Sequence, residues 1–121
     1  MLNGRRVLVA EDEALIAEDL ALAVRDLDGE VVGPVASVGD ALQLLAREDV
    51  HAAILDVRLV DGDVAPIASA LLERGKVVVF HTASPVPAEI IHRYGEVVVC
   101  PKPMASEHVV LRLATLIQRR G

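Results

Sequence analysis

Aromatic side chains are nearly absent from this 121-residue chain: Phe80 and Tyr94 are the whole complement, and there is no Trp. The stacking platforms that single-stranded nucleic acids use are therefore missing. Positive charge is short as well. Twelve Lys and Arg face 18 Asp and Glu, a formal net charge of −6, which leaves no cationic excess to neutralise phosphates. Both deficits argue against a nucleic-acid partner. The single cysteine, Cys100, permits no internal disulfide, so nothing requires an oxidising compartment. Long apolar runs are missing too. The longest stretch without Asp, Glu, Lys or Arg, from Val77 to Ala88, is too short to span a membrane and contains Pro85 and Pro87. Arg5 and Arg6 precede only a brief apolar run that ends in Glu11-Asp12-Glu13, unlike a signal peptide. The expectation is one small, cytoplasmic domain with no membrane contact and an aliphatic core. Lysine is scarce: only Lys76 and Lys102 accompany ten arginines.

What is present is a repeated pattern. Short Val-rich runs occur at Val7–Ala10, Val31–Ala36, Ala52–Leu55, Val77–Phe80 and Val97–Cys100. They do not alternate with polar residues, as expected for strands of a parallel sheet buried on both faces. Helical spacing fills the intervals. Ile16, Leu20, Ala23, Val24 and Leu27 mark a first helix with Gly29 as its stop. Val38, Ala41, Leu42 and Leu45 mark a second with Ser37 as N-cap. Ile67, Ala68, Leu71 and Leu72 mark a third before Gly75, and Ala88–Tyr94 forms a short fourth. Val110, Leu113, Ala114 and Ile117 mark the last, with Ser106 as its cap. Fivefold β-α alternation predicts an α/β doubly wound parallel sheet of the flavodoxin-like (βα)5 kind. Pro34 cannot donate to a ladder, so the second run belongs at an edge, and the strand order should be 2-1-3-4-5. The alternation occupies about residues 5–119 of one domain, residues 1–121, and leaves no room within it for an effector domain.

In such sheets ligands bind beyond the carboxyl ends of the strands. Glu11, Asp12 and Glu13 follow the first run, Asp56 the third, Thr82 the fourth and Lys102 the fifth. Neighbouring first and third strands would bring the acids together. Clustered carboxylates raise one another's pKa unless a cation sits among them, and Mg²⁺ suits oxygen donors that leave room for water and phosphate. Lys102 supplies a point charge and Thr82 a hydroxyl for a phosphoryl group. Asp56, alone at its strand end, is the candidate nucleophile, since aspartate forms acyl phosphates. Cys100 reads as a small buried hydrophobe, and Glu13 as a solvated helix-start acid. The four histidines, His51, His81, His92 and His108, show no ligand spacing.

At these residues the chain resembles the response-regulator receiver family, the CheY-like phosphoacceptor domains of two-component signalling. The resemblance rests on Val7-Leu8-Val9-Ala10-Glu11-Asp12-Glu13, Ile54-Leu55-Asp56-Val57-Arg58-Leu59, Val79-Phe80-His81-Thr82-Ala83 and Lys102-Pro103, in that order. It implies that Asp56 is phosphorylated, that Asp12 ligates Mg²⁺ directly, and that Glu11 acts on the metal through water. It also implies a third metal ligand in the Arg58 carbonyl. Thr82 and the Ala83 N–H would bind the phosphoryl group, Lys102 would pair with it, and Lys102-Pro103 would be cis. The implied partners are a histidine kinase or histidine phosphotransfer protein and a downstream protein, with homodimerisation left open. The chain would be a phosphoacceptor with self-phosphotransfer and autodephosphorylation chemistry, not an enzyme.

The sequence also departs from the family. Glu11 stands where Asp is commoner, Val60 where Pro is usual and Val64 where Gly is frequent. Val99 replaces the Tyr or Phe that ordinarily follows the threonine's movement, so that switch cannot operate in its usual form. A pseudo-receiver, used as a constitutive interaction module, is the alternative. A phosphatase of the haloacid-dehalogenase type would need an Asp-x-Asp pair, which Glu11-Asp12-Glu13 does not supply.

Overall fold

Each apolar run becomes a strand, and the strands carry the candidate site residues to one edge of a single sheet. The computed structural model describes residues 1–120. In chain order the elements are β1 (Arg6–Ala10), α1 (Ala14–Asp26), β2 (Glu30–Val35), α2 (Val38–Arg47), β3 (Ala52–Leu55), β4 (Arg58–Leu59), β5 (Gly62–Asp63), α3 (Ala65–Glu73), β6 (Val77–Thr82), α4 (Ala88–Tyr94), β7 (Val98–Pro101) and α5 (Ser106–Arg119). The main sheet is parallel with order β2-β1-β3-β6-β7. With β4 and β5 set aside, this is the expected 2-1-3-4-5.

The lack of alternation along the strands has a direct cause: both faces of the sheet are covered. On one side Val7, Val9, Ile54 and Val79 pack with Leu20 and Val24 of α1 and Val110, Leu113 and Ile117 of α5. On the other, Leu8, Leu55 and Phe80 pack with Ala41 of α2, Ile67 and Leu71 of α3 and Ile90 of α4. Fully burying one such side chain stabilises by roughly 1.5–3 kcal/mol. The aliphatic core therefore does without the missing aromatics. Among the described residues, no helix is long and apolar enough to cross a membrane.

Pro34 lies on the edge strand, and the β1–β2 register slips between Leu8 and Ala10 beside it. Gly33 adopts φ +95, and a Cβ there would come 2.9 Å from the Val35 nitrogen and 3.1 Å from the Val9 oxygen. Ser37 caps α2, its hydroxyl accepting the Asp40 N–H at 3.0 Å.

Three local expectations need correction. The left-handed residue that ends α1 is Asp28 (φ 68), not Gly29. Gly29 is required by space instead, because a Cβ there would lie 2.6 Å from Leu2 Cδ1. Ser106 is the first helical residue of α5 and Ala105 its N-cap, so the Ser106 hydroxyl makes no cap bond. Between β3 and α3 the chain forms an antiparallel hairpin, β4–β5, two short strands beyond the five that the apolar runs predict.

Candidate functional site

Backbone pairing converges four strand ends. Glu11 donates its N–H to Val35 O at 2.9 Å, Asp56 its N–H to Ala10 O at 2.9 Å, and Lys102 its N–H to Thr82 O at 3.0 Å. The side chains at these positions meet over the carboxyl edge of β1, β3, β6 and β7. Lys102 Nζ lies 2.9 Å from Asp56 Oδ2 and 2.9 Å from Glu11 Oε1. Asp56 Oδ1 accepts the Val57 N–H at 2.7 Å, and Glu11 Oε2 accepts the Glu13 N–H at 3.1 Å. The Lys102-Pro103 peptide is cis, as the resemblance implies.

Of the expected residues, Glu11, Asp56 and Thr82 are buried and Asp12 is exposed. One carboxylate oxygen from each of Glu11, Asp12 and Asp56 lies within 4.8 Å of the others, close enough to hold a metal ion. Thr82 Oγ1 accepts the Ser84 N–H at 3.0 Å, which leaves its own proton free to be donated. Ala83 is exposed at the end of β6, and Arg58 opens β4 two residues beyond Asp56.

The electrostatics separate the two buried acids. Burial pushes Glu11 up to about 7, against the lowering effect of the Lys102 ammonium and the Glu13 N–H. Burial also raises Asp56, but Lys102, Thr82 and Glu11 outweigh it and hold Asp56 below its usual value. Lys102 is opposed by its own burial, yet the two carboxylates push it above the ordinary lysine range. The cluster thus combines a carboxylate held in its charged form, an ammonium held in its charged form and a carboxyl whose ionisation burial opposes. Glu11 Oε1 is buried and its Lys102 contact is out of line for a hydrogen bond, so among the described residues it has no hydrogen-bond partner. An orphaned buried oxygen beside two further carboxylates is a donor set suited to a hard divalent cation.

Two features escaped the sequence reading. Glu13, expected in solvent, places Oε1 3.4 Å from Lys102 Nζ. His81 is buried, and neither ring nitrogen has a hydrogen-bond partner. It lines an open cavity of about 560 Å³ together with Glu13, Ile16, Lys102 and Met104. Its place directly before Thr82 sets it next to the site in the sequence, but its burial against α1 and the segment leading into α5 is not legible there. Cys100 is buried, as expected.

No protein-family model and no curated protein sequence matches the chain. Solved structures do. A response regulator receiver protein from Sinorhizobium medicae is 20% identical, with a TM-score of 0.82 and 100% of both chains covered. A CheY-like receiver domain protein from Methanospirillum hungatei is 16% identical, with a TM-score of 0.83 over 97% of this chain and 96% of that one. The fold is that of a response-regulator receiver domain. The response regulator PhyR from Brucella abortus is 25% identical with a TM-score of 0.74, and the match spans 97% of this chain but 50% of that one. In the receiver fold of this chain, Val99 is exposed on β7, so no inward-facing ring occupies that position.

Proposed function

We propose that the chain is a phosphorylation switch of bacterial two-component signalling, working in the cytoplasm, in which Asp56 accepts a phosphoryl group from a histidine kinase or a histidine phosphotransfer protein. The observation that carries this reading is Lys102 Nζ, 2.9 Å from both Asp56 Oδ2 and Glu11 Oε1 at a strand-end edge that also holds Asp12 and Thr82. Asp56 attacks phosphorus. The P–N bond of the phosphohistidine breaks as the P–O bond forms, and the released imidazole takes a proton from solvent. Lys102 then pairs with the phosphoryl oxygens, Thr82 donates its hydroxyl proton to one of them, and the Ala83 N–H binds another. Hydrolysis returns the carboxylate and releases inorganic phosphate. Glu11, Asp12, Asp56 and the Arg58 carbonyl are the residues that would hold Mg²⁺, which supplies charge neutralisation on the transferring phosphoryl group.

The output is binding to a downstream protein, or passage of the phosphoryl group along a phosphorelay in which the chain acts as shuttle. A constitutive pseudo-receiver would keep the same fold without this chemistry. Incubation with acetyl phosphate and Mg²⁺, followed by intact-mass measurement, separates the two. The expected result is a gain of one phosphoryl group in the natural protein and none in Asp56→Asn. A gain that survives that substitution, or no gain at all, would falsify the phosphoacceptor reading.

A further inference from the structure

Glu13 sits where a solvated helix-start acid would be unremarkable, yet its bonding does not fit that role. It is the N-cap residue of α1, but its carboxylate makes no cap hydrogen bond. Its Oε1 instead lies 3.4 Å from Lys102 Nζ, while its backbone N–H fixes Glu11 Oε2 at 3.1 Å. Lys102 thus faces three carboxylates. The Glu11 and Asp56 side chains are 1% and 9% exposed, and that of Glu13 is 62% exposed.

Resting on the phosphoacceptor reading above, we propose that Glu13 is a positioning residue that holds the Lys102 ammonium at the pocket mouth, in competition with the phosphoryl group. When Asp56 is phosphorylated, Lys102 must leave Asp56 Oδ2 for the phosphoryl oxygens. The charges of Glu11 and Asp56 are those a divalent cation offsets. Glu13 lies outside the three acids whose oxygens converge for a metal, so its full charge continues to act on Lys102. The contact is half in solvent, and such pairs are weak. Its effect should be a tuning of rate, not a gate. Glu13 Oε1 is already 3.4 Å from Lys102 Nζ, so the shorter aspartate side chain is expected to weaken the contact.

The protein has only two lysines, Lys76 and Lys102, so ¹³C-lysine labelling gives two Cε signals with Lys76 as internal control. Glu13→Gln and Glu13→Asp are both expected to shift the Lys102 signal in metal-free protein and to leave Lys76 in place. Both are expected to speed acetyl phosphate uptake, with Mg²⁺ present, by about two- to fivefold, the size of a weak ion pair. An Asp variant indistinguishable from the natural protein would mean that charge alone matters and would overturn the contact. An unmoved Lys102 signal in Glu13→Gln, in a protein that still takes up phosphoryl, overturns the role of Glu13 alone. A natural protein that takes up none, with the signal still moving, overturns the phosphoacceptor reading and the competition with it.

Discussion

Glu11 Oε1 and Lys102 Nζ lie 2.9 Å apart, yet the pair is not aligned as a hydrogen bond. Burial therefore dominates the carboxyl and pushes it up to about 7 from an ordinary 4.5. The folded state then holds more protons than the unfolded chain between those two values. Stability of the metal-free protein from this group is greatest below about pH 4.5 and declines as pH rises towards about 7. The size is of order 3 kcal/mol, since one pKa unit corresponds to about 1.4 kcal/mol. Asp56 works in the opposite sense, stabilising above its unfolded value of 3.8 and losing that contribution as pH falls below it. Because a metal needs Glu11 ionised, Mg²⁺ should stabilise the protein more at about pH 8 than at about pH 5.5. Urea midpoints with and without Mg²⁺ across that range test it; a Mg²⁺ effect independent of pH would contradict the assignment.

Among the described residues, Lys102 is the only cation in ion-pair contact with Glu11 and Asp56, so its removal should expose their cost. In Lys102→Met both Glu11 and Asp56 lose their counter-charge. Breaking a buried pair costs roughly 3–5 kcal/mol, and protonation of Glu11 relieves part of that. A loss of about 2–4 kcal/mol is expected at pH 8 without metal, shrinking towards pH 5.5, with phosphoryl uptake strongly reduced. Saturating Mg²⁺ should restore most of the stability and none of the uptake. Chemical denaturation paired with mass measurement reads both, and a variant that Mg²⁺ cannot rescue would show that the lysine matters for packing instead.

The strand ends were legible because a parallel sheet buries both strand faces, making the strands uninterrupted apolar runs, four of the five with a candidate site residue at or just beyond the carboxyl end. Asp56 and Thr82 could be placed on that ground alone, and Lys102 once its lone position after the last run was noticed. The strand order followed from Pro34 at the edge. What stayed hidden depends on contacts between distant segments. Asp28 rather than Gly29 takes the left-handed conformation because Gly29 is needed where Leu2 packs against Val24. The β4–β5 hairpin pairs only two residues on each side, too short a run to stand out in the sequence. Glu13 reaches Lys102 across a sequence separation of 89, which no local rule reports.

Phe80 is fully buried against the α2, α3 and α4 side of the sheet, and α4 contributes only Ile90 as a buried residue. Phe80→Ala should cost about 3–5 kcal/mol through lost contacts and a residual cavity. Phe80→Leu keeps most of the volume and should cost under about 1.5 kcal/mol. The short α4 depends on this cluster more than the longer helices do, so the Leu variant should raise amide exchange in α4 before α1 or α5. Exchange rising equally in all five helices would contradict that order.

Asp61 lies in the turn of the β4–β5 hairpin, yet its carboxylate caps a helix elsewhere in the chain. It accepts the N–H of Val38 at 2.6 Å and that of Gly39 at 3.0 Å, at the start of α2. These two donors, with the helix dipole behind them, hold its carboxyl below the usual range. The hairpin is pinned further by the Val60 N–H, which donates to Ala36 O at 3.1 Å. Asp61→Ala removes a cap and also frees the loop that follows Asp56, so two effects should appear together. The urea midpoint should fall, and the lifetime of phosphorylated Asp56 should change because Arg58 is carried by the same hairpin. Asp61→Asn keeps an acceptor oxygen and should retain most of both properties. If Asp61→Ala lowers the midpoint without altering phosphoryl lifetime, the cap serves α2 alone and the hairpin does not hold the loop for the site.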